Sequence, residues 1–271
     1  MMRKIIAATL AIASIVSFTP ALANTGTAKL MSAEGSYNGV FGRFDRAQLQ
    51  RGFQIYKEVC ASCHSMNELH FRNLGEKYGP FYSPEHANPN ENPVVKAIAK
   101  GYTVADLDAS GNEVERPGLP SDRFPAPFAS DAQAKAANGG VAPPDLSVIT
   151  KARMGGADYV YSLMMGYGHA VPHGVVVGAG KSYNPYFAGG VIGMAQQLTD
   201  DRVTYADTEA NKGIKPTAAQ ESRDIAAFLQ WASDPHQTER KAAGLGVMLF
   251  LFVFALFTWF SYQSIWRKVE H

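Results

Sequence analysis

The two cysteines of the chain stand in one short motif, Cys60-Ala61-Ser62-Cys63-His64. The pattern C-x-x-C-H is the sequence signature of covalent haem attachment. On a helical turn, two thiols at this spacing can form thioethers with the two vinyl groups of one porphyrin. His64 follows directly and can place its imidazole on the iron. The motif therefore predicts one covalently attached haem c.

Two other kinds of site use a pair of cysteines at this spacing. A thiol-redox C-x-x-C site usually lies near a βαβ pattern, and the sequence shows no such pattern. A structural zinc site usually needs four ligands, and the chain has only 2 cysteines, so there is no second pair. Both alternatives are therefore weaker than haem attachment.

The iron needs a second axial ligand from elsewhere in the chain, and methionine in that position raises the reduction potential. The candidate methionines of the mature chain are Met31, Met66, Met154, Met164, Met165, Met194 and Met248. Local sequence favours Met194, which ends a flexible apolar loop far from the attachment motif. His169 and His173 remain alternatives, although Pro172 disfavours the helix that their i, i+4 spacing would need.

The first residues form a predicted export signal. Arg3 and Lys4 precede an apolar run from Ile5 to Phe18, and small residues follow up to Ala23. This order is typical of a signal peptide. We expect residues 1–23 to be removed; an uncleaved anchor is the alternative, but the run is short for a membrane span.

The last residues form a predicted membrane anchor. No charged residue lies between Lys241 and Arg267, and the stretch from Leu245 to Tyr262 is dense in large apolar residues. Such a helix can cross a hydrocarbon core of about 30 Å. A buried soluble helix is the alternative. We expect a haem domain over 24–240 outside the membrane, then an anchor and short cytoplasmic tail over 241–271.

Between these ends the pattern predicts a mostly α-helical domain with long loops. Asp45 begins one helical pattern that runs towards Cys60, and Thr217 begins another that ends before Pro235. Shorter helices are predicted over 94–100 and 157–165. Long loops are unusual in a compact domain, but here they can pack on a large flat cofactor.

The charge balance argues against a nucleic-acid partner. The chain has 25 Lys and Arg against 24 Asp and Glu, for a net charge of +1. A nucleic-acid-binding surface normally needs a basic excess.

Longer stretches of the sequence closely resemble the cytochrome c1 family, the haem subunit of the cytochrome bc1 complex, in its α-proteobacterial or mitochondrial form. The resemblance covers nearly the whole mature chain. The matching stretches are 50–56 (QRGFQIY), 60–66 (CASCHSM), 136–140 (AANGG), 143–147 (PPDLS), 151–153 (KAR), 158–163 (DYVYSL), 184–187 (NPYF), 192–195 (IGMA), 228–232 (FLQWA) and 240–241 (RK).

This resemblance implies a class I cytochrome c-like domain with one haem and a single C-terminal transmembrane helix. It implies His64 and Met194 as the two axial iron ligands. The remaining haem-contacting positions that it implies are Asn138 and Pro144 in the pocket, and Arg153 and Tyr159 near the haem propionates.

The resemblance also implies a function in electron transport. The haem would take an electron from the Rieske iron–sulfur protein and pass it to a soluble or membrane-bound c-type cytochrome, during quinol oxidation in a respiratory or photosynthetic chain. Cytochrome b would belong to the same, dimeric, complex. The chain would be a subunit of quinol–cytochrome c reductase with no catalysis alone, held in the inner membrane by a single span with its haem domain in the periplasm.

Two other functions remain open at this point. One is a stand-alone membrane-anchored electron shuttle or oxidase subunit, which would be isolated without cytochrome b and the Rieske protein. The other is a haem-based sensor, which would have an open sixth iron position and would bind carbon monoxide readily.

Overall fold

A computed structural model describes residues 28–267, so the predicted signal peptide and the last four residues lie outside the described part of the chain. The α-helices of this part are α1 (Arg46–Glu58), α2 (Pro93–Lys100), α3 (Asp131–Ala137), α4 (Ile149–Ala152), α5 (Gly156–Met165), α6 (Ala218–Ser233) and α7 (Gln237–Trp266). The strands are β1 (Thr103–Leu107), β2 (Glu113–Pro117), β3 (Ser182–Tyr183) and β4 (Val191–Ile192). Short 3-10 helices occupy Cys60–Ser62, Phe71–Gly75, Pro84–His86, Pro89–Glu91 and Glu209–Asn211. The mostly helical prediction is confirmed.

Helix α1 leads directly into the cysteine motif. It begins where the sequence predicts, because the Asp45 carboxylate accepts a hydrogen bond from the Ala47 amide at 2.9 Å and caps the helix. One face of α1 is buried, including Leu49, Phe53 and Tyr56. The core therefore holds the helix that positions the motif.

Helix α6 packs across α1 and against α5. The Thr217 hydroxyl caps it by accepting from the Gln220 amide at 3.2 Å. The predicted apolar face is buried, with the side chains of Ile225 and Phe228 only 2% and 0% exposed. Phe228 also packs edge-on against Phe53 of α1, with ring centroids 5.7 Å apart.

Gly52 lies at a close contact between α1 and α6. A Cβ atom at this position would lie 2.2 Å from the Asp224 carbonyl oxygen and 2.6 Å from the Phe228 Cβ. No side chain fits there, so the glycine permits the contact. Its presence inside a helix is thereby explained by packing.

An ion pair is buried beside this contact. Arg51 donates to both carboxylate oxygens of Asp224, at 2.7 and 3.1 Å, and the two side chains are 6% and 0% exposed. Tyr205 donates a further hydrogen bond to Asp224 at 2.9 Å. The pair joins α1, α6 and the loop that precedes α6.

The elements that were not predicted include two in one proline-rich stretch. The first is the antiparallel hairpin of β1 and β2, which pairs Thr103 with Pro117 and Leu107 with Glu113. The second is the short helix α3, which Ser130 caps by accepting from the Gln133 amide at 3.3 Å. Both lie in a stretch whose many prolines favoured a loop.

Helix α7 fits a single-pass membrane anchor. It has a mean hydropathy of 2.3 in its most apolar stretch, none of which is buried against the rest of the chain. It begins at Gln237, four residues before the predicted boundary. Asp234, between α6 and α7, accepts a hydrogen bond from Arg240 at 2.7 Å, which ties the start of the anchor to the haem domain.

Candidate haem site

The cysteine motif lies on a single tight turn at the end of α1. The amides of Cys63 and His64 both donate to the Cys60 carbonyl, at 3.1 and 2.9 Å. Both thiols are free and half-buried. The turn therefore presents two thiols and one imidazole at the edge of the core, as attachment of one porphyrin requires.

The Cys60 thiol is poorly suited to thiol-redox chemistry. Desolvation, together with repulsion from the neighbouring Cys63, raises its pKa to about 12. The thiolate is the nucleophile in disulfide exchange, and reactive cysteines have lowered pKa values. Nor do three His, Cys, Asp or Glu side chains within residues 28–267 converge as a bound metal ion would need. Both alternatives to haem attachment are thus disfavoured.

His64 is held in the form that binds iron. Its Nδ1 lies 2.7 Å from the Pro144 carbonyl oxygen. A carbonyl can only accept, so Nδ1 carries the proton and Nε2 keeps its lone pair free for a metal. Burial lowers the pKa of His64, against the opposing effects of the Pro144 carbonyl and of Asp145, so the imidazole is neutral at pH 7.

Asp145 links the segment that contains Pro144 to the residues that follow His64. Its carboxylate accepts hydrogen bonds from the Ser65 hydroxyl at 2.7 Å, the Asn67 amide at 2.8 Å and the Ser147 amide at 2.8 Å. Burial by itself would raise the pKa of Asp145, but these hydrogen bonds outweigh it and hold the pKa below its usual value. Asp145 was not among the predicted site residues.

The loop that carries Met194 approaches the same segment. A Cβ atom at Gly193 would lie 3.6 Å from the side chain of Val141, which stands three residues before Pro144. The Tyr167 hydroxyl donates to the Met194 carbonyl oxygen at 2.9 Å, and the Met194 side chain is half-buried. The structure therefore links the Met194 loop to the segment that binds His64.

Arg153 and Tyr159 lie close together, and their predicted contact with the haem propionates stays a prediction. Burial raises the pKa of Tyr159, and the neighbouring Arg153 cation opposes that rise. Within residues 28–267, none of the ion pairs between side chains involves Arg153. Its charge is thus available to an anionic group such as a haem propionate.

Asn138 has a local structural role. It ends α3, and its side-chain amide donates to the Ala134 carbonyl oxygen at 2.8 Å. It stands three residues before Val141, so it lies at the start of the segment that approaches the Met194 loop. Its predicted contact with haem stays a prediction.

The other candidate ligands lie in less suitable places. Met66 is fully buried in the core, whereas Met31, Met164 and Met165 are half-buried against it. Met248 lies in α7. His169 and His173 are exposed on a loop without helical structure.

The residues of the site fit a haem. The segment that carries Pro144 and Arg153 also exposes Val141, Val148 and Met154, at 51%, 47% and 39%. These apolar side chains lie on the segment whose Pro144 carbonyl contacts His64 and whose Arg153 forms no side-chain ion pair within residues 28–267, a composition that suits a flat apolar ring with anionic substituents. The chemistry of the donor set thus agrees with the motif.

Comparisons with known proteins agree with these observations. The sequence model of the Cytochrome C1 family matches residues 36–269. A "Cytochrome b/c1" protein of Bradyrhizobium diazoefficiens is 42% identical over 92% of this chain, which spans only 37% of that longer protein. The "Cytochrome b-c1 complex catalytic subunit, mitochondrial" of Candida albicans is 40% identical over 87% of this chain and 76% of its own length. The "Cytochrome c1, heme protein, mitochondrial" of Saccharomyces cerevisiae is 41% identical over 86% of this chain and 69% of its own.

Proposed function

The chain belongs to the cytochrome c1 family, and on this premise we propose that it is the haem c-carrying electron-transfer subunit of a cytochrome bc1 complex. The observation that carries the proposal is the geometry of one turn. Two free thiols lie beside an imidazole whose Nδ1 is committed to the Pro144 carbonyl. Cys60 and Cys63 would hold the haem covalently, and His64 would bind its iron through Nε2.

Under this proposal each residue of the site has a defined role. The bound haem supplies reversible one-electron chemistry at its iron. Pro144 fixes the ring orientation of His64, and Asp145 holds the neighbouring Ser65 and Asn67. The Met194 sulfur would be the second iron ligand, which favours a high reduction potential. Arg153, next to Tyr159, would hold a propionate by a charge-assisted hydrogen bond. These side chains orient and bind, and they transfer no protons in the reaction.

The proposed electron donor is the Rieske iron–sulfur protein, and the proposed acceptor is a soluble or membrane-bound c-type cytochrome. Acidic side chains on two exposed stretches, 106–115 and 200–209, could steer a basic acceptor. On the first stretch Asp106 is paired with Arg116, which also binds Asp122. Glu113 and Glu115 are the exposed carboxylates of strand β2, so they are the better candidates there.

We further propose that residues 1–23 are an export signal and that the haem domain lies in the periplasm, with α7 in the inner membrane. Cytochrome b would then be the partner that oxidises the quinol, in a dimeric complex. Co-purification tests this membership: isolation of the native protein without cytochrome b and the Rieske protein would favour a stand-alone shuttle.

Replacement of Met194 by leucine tests the iron ligand. Because methionine ligation raises the potential, we expect Met194→Leu to lower it by on the order of 0.1 V or more, within the ~0.8 V range that axial ligands span. Redox titration of the purified protein measures the change. Met248→Leu is the matched control, since Met248 lies in α7 and is 67% exposed. An unchanged potential in Met194→Leu would remove Met194 from the iron.

A further inference from the structure

The apolar loop, residues 36–43, is a short closed loop that lies beside the start of α7. The Arg43 amide donates to the Ser36 carbonyl at 3.0 Å, and the Ser36 hydroxyl donates to the Arg43 carbonyl at 2.9 Å. The rings of Tyr37 and Phe44 pack at its base, 5.3 Å apart. Both ends of the loop are therefore fixed, and its tip projects from a rigid base.

The tip of the apolar loop consists of two large apolar side chains in solvent. Val40 and Phe41 are 71% and 77% exposed. Single exposed apolar residues are ordinary on protein surfaces. Two in succession, at the tip of a turn whose ends are fixed, are typical of a contact with an apolar partner.

The base of the apolar loop is bonded to the membrane helix. The Tyr37 carbonyl accepts hydrogen bonds from the Gln237 side chain at 3.0 Å and from the Lys241 ammonium at 2.6 Å. Lys241 is the last charged residue before the long apolar stretch of α7. Phe41 is four residues from Tyr37, so their Cα atoms are at most about 14 Å apart.

The charges around the apolar loop suit a phospholipid surface. Arg43 is exposed at its end, and Lys241 lies in the first turns of α7 after Arg240, which is paired with Asp234. Segments that lie at a bilayer interface combine apolar side chains, which enter the acyl boundary, with Lys and Arg at the headgroups. The apolar loop has this composition at the place where α7 meets the membrane.

We propose that the tip of the apolar loop, Val40 and Phe41, inserts into the interfacial layer of the bilayer on the haem-domain side. The partner is the lipid surface itself, because the base of the apolar loop is hydrogen-bonded to the membrane-spanning helix. The insertion gives the haem domain a second contact with the membrane, beside α7, and so limits its tilt. The proposal needs α7 to span the membrane, but it does not depend on the identity of the electron partners.

Site-directed spin labelling tests the insertion on the full-length haem-loaded protein in phospholipid vesicles that contain anionic lipid. Its 2 cysteines are consumed by the haem thioethers, so Phe41→Cys introduces a single reactive thiol for a nitroxide. Leu107→Cys is the control, because Leu107 is 62% exposed on β1. The haem is kept reduced, so that the low-spin iron is diamagnetic.

We expect the nitroxide at Phe41→Cys to be accessible to oxygen and shielded from a water-soluble nickel chelate, and the nitroxide at Leu107→Cys to show the reverse. Accessibility to nickel at both positions would overturn the proposal. Shielding of Phe41→Cys from both reagents would also overturn it, because a protein would then cover the tip. Reaction of the nitroxide reagent with the unmutated chain would instead contradict haem attachment. A failure of haem attachment is therefore distinguishable from a failure of the membrane insertion.

Discussion

Replacement of Gly52 by alanine has two opposing effects on stability: it raises the helix propensity of α1, and it disturbs the packing of α1 on α6. In an isolated helix the change stabilises by about 1 kcal/mol. Here the new Cβ would lie 2.2 Å from the Asp224 carbonyl oxygen and 2.6 Å from the Phe228 Cβ. The obstacle is the backbone of the buried helix α6, which cannot rotate away as a flexible side chain can.

Relief of this clash requires α1 and α6 to separate by about 1 Å at the contact. Overpacking of a core costs about 1–3 kcal/mol. Because the obstacle is backbone, we expect the cost of Gly52→Ala to lie at the upper end of this range. After the gain in helix propensity, we expect Gly52→Ala to lower the free energy of unfolding by about 2 kcal/mol. Because α1 leads into the cysteine motif, the haem spectrum should also report the displacement.

Guanidinium unfolding of the detergent-solubilised protein measures the change. Gly244→Ala in α7 is the control, since no atom lies within 4 Å of a Cβ at that position. A Gly52→Ala protein that is as stable as the unmutated chain, or more stable, would refute the proposed close approach of α1 and α6.

Three further substitutions follow from named contacts. Asp224→Asn leaves the buried Arg51 cation without its countercharge, and we expect a loss of about 3–5 kcal/mol in thermal or denaturant unfolding. Asp145→Ala removes three hydrogen bonds beside His64, and we expect the free energy of unfolding to fall by about 2 kcal/mol. The pKa of Asp145 is lowered in the folded state. Its contribution to stability is therefore present above about pH 4 and is lost as the pH falls through the folded-state pKa. Arg153→Gln removes a cation near the proposed propionate, and we expect the potential to fall by on the order of tens of millivolts in a redox titration.

Matched variants serve as controls for these three changes. Asp207 is exposed on the loop before α6, so Asp207→Ala should leave stability and its acid dependence unchanged. Arg153→Lys keeps the charge and should retain most of the potential. Equal stability of the Asp224→Asn and unmutated proteins would contradict a structural role for the buried pair, and an acid profile unaltered by Asp145→Ala would contradict the role of this carboxylate.

The elements that the sequence predicts best are those with strong local signals. Asp45 and Thr217 both cap helices as predicted, and the apolar stretch of α7 is unmistakable in composition. The hairpin of β1 and β2 was not predicted. Its strands are almost wholly exposed, so their sequences show no alternation of apolar and polar residues. Helix α3 had a readable signal, a serine with a glutamine three residues on, which the surrounding prolines obscured.

The site was predictable only in part for a similar reason. The cysteine motif and His64 are adjacent in sequence, so their chemistry can be read locally. The hydrogen bond from His64 to Pro144 joins residues 80 positions apart, and so does the one from Ser65 to Asp145. Such contacts are made by the tertiary fold, and one sequence carries no local sign of them.

Mass spectrometry of the denatured, purified protein tests the central claim most directly. If Cys60 and Cys63 hold the haem through two thioethers, the chain keeps the mass of one haem after acid–acetone treatment, and digestion places that mass on the peptide that contains Cys60 to His64. Release of the porphyrin into the organic phase, or a peptide with two free thiols, would contradict the account.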